Sequence, residues 1–197
     1  VNPQLLRSRS GKIIAVLAMA FSTIGAVSLA AEPIPVLLTK VWIYIWFGFF
    51  AWLLFWNPSI RVSKTEIVVD NIFRVTTLNW SSIRRIDTKY SLTLETDSGI
   101  IRAWAAPAPS RYAGFLANKS EAEHLPESSF IGKGLVRPGD LTSSDSGVAA
   151  YVIRSHWEQL RDKNQLGAEP IVITRWLATR IVVFLVLGAA AVLGFIS

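Results

Sequence analysis

Residues Val41–Ile60 read VWIYIWFGFFAWLLFWNPSI, a run without a charge. A helix needs about 17–25 predominantly apolar residues to cross a bilayer's hydrocarbon. Two further uncharged runs of similar kind, Ile13–Ala31 and Ile181–Ser197, lie on either side of it. The chain therefore reads as an integral membrane protein with three transmembrane helices. Its one sizeable aqueous part lies between the second and third. Residues 1–57 are assigned to an N-terminal tail and two spans, 58–166 to a soluble domain, and 167–197 to the third span.

Composition narrows the function classes. With 197 residues, 51 % hydrophobic and 17 % charged, three spans leave room for one small domain and a linker. The absence of cysteine excludes disulfides, zinc–thiolate sites, iron–sulfur clusters and thiol catalysis. His124 and His156, the two histidines, belong to no metal or triad spacing. No span contains a histidine to ligate haem. The expectation is a protein that is not an enzyme, with no catalytic residue, metal or cofactor.

The net charge is +6, and the cations cluster beside the spans. Arg7, Arg9 and Lys12 precede the first, Arg61 and Lys64 follow the second, and Arg175 and Arg180 open the third. The connection Glu32–Pro35 has no Lys or Arg. By the positive-inside rule the N-terminus and central block face the cytoplasm, with the C-terminus outside a plasma membrane. The first run also has signal-peptide features, with Ser28-Leu29-Ala30 as a small-x-small site. It is read as a retained span; the second span delivers the block to the same side in either case.

Small residues let helices approach closely. Ala18, Ser22, Gly25 and Ala26 make such a face on the first span, and Gly188, Ala190 and Gly194 on the third. Trp46 and Trp52 are the packing aromatics expected of the second. These faces suit contact within the chain or with another subunit.

Apolar residues recur in short strand-like runs from about 59 to 104, with Asp97-Ser98-Gly99 as a turn. They predict an antiparallel meander with one wet face. Ala105-Ala106-Pro107-Ala108-Pro109 ends the last strand, and a long loop covers about 105–143. A helix over about 145–163 follows, capped by Ser144 or Asp145 and ended near Gly167.

Several stretches carry a resemblance: Ile60-Arg61-Val62-Ser63, Glu66-Ile67-Val68-Val69, Asn71-Ile72-Phe73-Arg74 and Trp80-Ser81-Ser82-Ile83. So do Leu92-Thr93-Leu94-Glu95-Thr96, Ala103-Trp104-Ala105-Ala106-Pro107-Ala108-Pro109, Arg137-Pro138-Gly139-Asp140-Leu141 and Trp157-Glu158. Together they resemble the bacterial pleckstrin-homology-like (PH-like) family of Actinobacteria named for a low-molecular-weight protein antigen. The resemblance implies a curved, barrel-like antiparallel sheet with a C-terminal helix, and no catalytic residues.

Two readings of function follow. One is an accessory or scaffolding subunit, partnered by integral membrane subunits of a larger complex. By analogy of size and plan, the actinobacterial cytochrome bc–aa3 respiratory supercomplex is the leading partner. The other is a tethered sensor of anionic membrane lipids or proteins, using Arg74, Arg84, Arg85, Lys89 and Arg102 if they converge. No recognition helix or stacking motif accompanies the charge, so nucleic acid is not an expected partner.

Overall fold

The computed structural model describes residues 3–109, 130–131, 135–136, 138–141, 143–167 and 169–196. Among these residues, three helices are long and apolar enough to cross a membrane: 9–31, 34–56 and 178–196. The first is α1 (Arg9–Ser28), prolonged by a 3₁₀ turn at Leu29–Ala31. Ser8 caps it, its hydroxyl accepting from the Gly11 amide. After a tight connection comes α2 (Ile34–Ala51), with proline in its first turn, where a missing N–H costs nothing. It runs into a wider π turn at Trp52–Trp56. The third is α4 (Ala178–Ile196).

Helix α2 is the centre of this group, with α1 packed on one side and α4 on the other. Where they meet, one partner is glycine. A β-carbon at Gly25 would overlap the Tyr44 ring, and one at Gly194 would overlap the Thr39 carbonyl oxygen. The Ser22 hydroxyl donates to the Tyr44 carbonyl at 2.5 Å. Trp46 stacks on Phe50 with ring centroids 5.5 Å apart, and meets Phe184 of α4 at 5.6 Å.

Between α2 and α4 the chain builds two antiparallel sheets and a helix. The first sheet contains β2 (Ser59–Val62), β3 (Glu66–Asp70) and β4 (Arg74–Asn79). After a 3₁₀ turn at Trp80–Ser82, the second contains β5 (Ile83–Asp87), β6 (Ser91–Thr96) and β7 (Gly99–Pro107). Gly99, at φ 133°, makes the β6–β7 turn that the Asp-Ser-Gly sequence predicts. The inward residues Ile60, Val62, Ile67, Val69, Leu78, Ile86, Leu92, Leu94 and Ile101 share one core. Helix α3 (Asp145–Asp162) seals it with Ala149, Ala150 and Ile153. A short hairpin of β8 (Phe130–Ile131) and β9 (Leu135–Val136) lies apart.

Four local readings differ from the sequence expectation. The tail assigned to 1–57 begins with a strand, β1 (Gln4–Leu6), paired antiparallel with β2. Residues 167–197 are not all third span: β10 (Val172–Trp176) pairs antiparallel with β4. Ala105, Ala106 and Pro107 do not end the sheet early. They belong to β7, where Pro107 pairs opposite Ser91 past a bulge; an edge strand tolerates a missing N–H. Helix α3 ends before Gly167, because Asn164 takes the left-handed turn at φ 56°. Its amide donates to Arg161 and that of Gln165 to Leu160, a paired helix-ending motif. Most of the expected loop over about 105–143 lies outside the described residues.

The first sheet thus has the order β1-β2-β3-β4-β10. Three of its strands are directly continuous with the long apolar helices: β1 leads into α1, β2 follows α2, and β10 leads into α4. No ladder among the described residues joins the two sheets; Asn71 bridges them instead. Its side chain donates to the Arg102 carbonyl at 2.9 Å and accepts from the Trp104 amide at 3.0 Å.

Candidate functional site

The polar chemistry of the described residues gathers at three carboxylates, two beside the long apolar helices and one inside the sheet unit. Asp70, at the end of β3, takes a forked ion pair from Arg180 in the first turn of α4. The Nη1–Oδ1 distance is 2.8 Å and the Nη2–Oδ2 distance 3.3 Å. Arg180 Nη1 also donates to the Asn71 carbonyl at 3.1 Å. Beside it, the Leu177 amide donates to the Phe73 carbonyl at 2.8 Å, and the Phe73 ring meets Phe184 at 5.7 Å. A planar guanidinium suits this fork where a lysine would reach only one oxygen.

Asp145, in the first turn of α3, sits on the N-terminus of α1. It accepts from Ser8 Oγ at 2.6 Å, the Arg9 amide at 3.1 Å and Ser10 Oγ at 3.1 Å. A carboxylate there satisfies otherwise orphaned donors and complements the helix dipole. The α1 start is thereby tied to the helix that seals the core.

The third carboxylate, Asp140, is buried. Its Oδ1 accepts from Thr88 Oγ1 at 2.7 Å and pairs with Arg154 Nη1 at 2.5 Å. Arg154 Nη2 donates to the Ile86 carbonyl at 2.9 Å. Gly139 lets this segment press on Thr88, whose carbonyl oxygen a β-carbon would overlap. The Gly139 carbonyl accepts from Ser146 Oγ at 2.8 Å. One buried junction therefore joins the segment before α3, the helix itself and the end of β5.

The basic residues singled out from sequence lie on separate elements. Arg74 is on β4 beside Trp176 of β10, whereas Arg84 and Arg85 are on β5 and Arg102 is on β7. Lys89, between β5 and β6, lies over the Tyr90 ring at 5.1 Å. Arg84 is committed to Asp97 through two bonds of 3.0 Å and one of 2.6 Å. Their hydrogen bonding holds the Asp97 carboxyl below the usual carboxylate range. A depressed folded-state pKa contributes stability above the unfolded value and loses it as pH falls through the folded one. Arg84→Ala should therefore move Asp97's titration upward, read by carboxyl NMR. The accompanying loss of neutral-pH stability should be small, since the pair is solvent-exposed. An unmoved titration would discard the pairing.

The small-residue faces are used within the chain. Ser22 and Gly25 pack on Tyr44, Gly188 on the Trp46 indole, and Gly194 on Thr39. Ala18, Ala26 and Ala190 are half-buried, and Trp52 stacks on Phe49 at 5.7 Å. His156 meets the Trp80 ring edge-on at 4.6 Å. Among the described residues no group of three or more His, Asp or Glu is placed to hold a metal.

Sequence reasoning missed Asp70, Asp140, Asp145 as a cap for α1, and Arg154. Arg154 had a signal, since it shares the otherwise apolar helix face of Ala150 and Ile153. Comparison with family models, curated proteins and solved structures finds no match.

Proposed function

We propose that this chain is a non-catalytic accessory subunit of a larger membrane complex, its sheet unit presenting a surface to neighbouring subunits. The observation that carries this reading is the set of exposed apolar side chains on the outer face of the five-stranded sheet. Leu5, Arg61, Val68, Thr77 and Ile173 form one row across it. Leu5 is 55 % exposed, Ile173 48 % and neighbouring Ile171 52 %. Exposed apolar side chains set among polar ones are a common feature of non-obligate protein interfaces. The small-residue faces contribute less than the sequence suggests, because α2 already occupies them.

A PH-like domain remains part of the proposal, supported by the element order of three strands, three strands and a sealing helix. The respiratory supercomplex is its leading partner by analogy of plan. Pairing of β1 with β2 supports a topology with the N-terminus and the sheet unit on one side, and the charge bias makes that side cytoplasmic.

Extraction of native membranes in a mild detergent, followed by sizing and identification of co-migrating subunits, tests the reading. A photo-crosslinking residue at Ile173 should capture a specific membrane subunit. Migration as a lone monomer, with no adduct from position 173, would sink it.

A further inference from the structure

A cleft opens where the starts of α1 and α3 meet. Its cavity is about 280 Å³, lined by Leu5, Arg7, Arg9, Lys12, Ala105 and Asp145, among others. That is below the usual range for drug-sized ligands and suits a headgroup-sized anion. We propose that this cleft binds a phosphate ester through Arg7, Arg9 and Lys12, with the headgroup of an anionic phospholipid as the expected source.

Three observations combine. The lining holds three cations and one carboxylate, and that carboxylate is already engaged by Ser8, the Arg9 amide and Ser10. Asp145 thus occupies the α1 terminus, so the cations rather than the helix end supply the attraction. Among the described residues, no carboxylate lies within ion-pairing range of Arg7, Arg9 or Lys12. The half-buried Arg7 also has its Nε–H shielded from solvent with no acceptor. Such a donor is costly to leave unmade, and a phosphate oxygen satisfies guanidinium geometry.

The rest of the lining is apolar and includes Leu6, Ala106, Val148 and Ala149. The cleft also sits at the polar end of a helix whose apolar run begins at Ile13. A cationic rim over an apolar wall at that level matches a lipid phosphate with its glycerol below. This site differs from the strand arginines, which lie on separate elements.

The test uses the full chain, delipidated in neutral detergent, with native mass spectrometry as the readout. One arm adds phosphatidylglycerol, a second phosphatidylcholine, and a third soluble glycerol 3-phosphate. One saturable phosphatidylglycerol equivalent is expected. At roughly 1 kcal/mol per cation, each charge removed should weaken binding about fivefold. Lys12→Gln, on an exposed residue, reads one step without endangering the fold, and Arg7→Gln with Lys12→Gln reads two. Arg84→Gln with Arg85→Gln should bind as wild type. Saturable glycerol 3-phosphate binding that needs Lys12, without lipid binding, would uphold the phosphate chemistry and assign a soluble source. Equal binding of phosphatidylcholine, binding unaltered in Lys12→Gln, or no saturable binding in any arm overturns the proposal.

Discussion

Asp140→Ala should destabilise the sheet unit by about 3–5 kcal/mol, the cost of removing one member of a buried ion pair. The side chains of Arg154 and Asp140 are only 3 % and 1 % exposed, so water cannot replace the lost carboxylate. Arg154 would keep its bond to the Ile86 carbonyl but lose the Asp140 carboxylate, and Thr88 would lose its acceptor. The informative comparison is with Asp140→Leu combined with Arg154→Met. Replacing both members by apolar residues is often close to neutral, because desolvation offsets much of the pair's attraction. The double variant should therefore be more stable than Asp140→Ala alone. Thermal melting in detergent, followed by near-ultraviolet circular dichroism, reads both. Additive losses would show that the two residues act independently and remove the junction from the account.

The second large effect is expected at Gly194, where α4 meets the backbone of α2. Gly194→Ala already places a methyl group on the Thr39 carbonyl oxygen, and Gly194→Leu cannot be accommodated without parting the helices. Overpacking a close contact costs about 1–3 kcal/mol, and backbone yields less readily than a side-chain tip. The order of melting temperatures should be wild type, Ala, then Leu. Phe195→Leu, at a residue 75 % exposed, is the control and should melt as wild type. A Leu variant as stable as wild type would mean that α2 and α4 do not approach at this point.

How much of this was legible in the sequence depends on the range of the interaction. The spans were plain, since a long apolar run is a local signal, and so was α3, with Ser144 as its cap. The strands from β2 to β7 were visible through alternation and the Asp-Ser-Gly turn. By contrast, β1 has three residues, too few for a period to emerge, and β10 (VITRW) does not alternate apolar with polar. Their existence depends on partners far along the chain. The same holds for the polar junctions. Thr88 and Asp140 are 52 residues apart, and Asp70 and Arg180 are 110 apart. A glycine face announces close packing but does not name its partner, which proved to be the chain's own α2.

The edge strand β10 has a further consequence, which concerns time. During synthesis β4 emerges with one side unpaired, and Thr76 must wait for Thr174, 98 residues later. At about 5–20 residues per second, that open edge persists for roughly 5–20 s. An unpaired edge is a template for wrong pairing. The strand that closes it is followed directly by α4, so sealing the sheet and placing the last helix are steps of one late event. A chain stalled before β10 would keep the edge of β4 open.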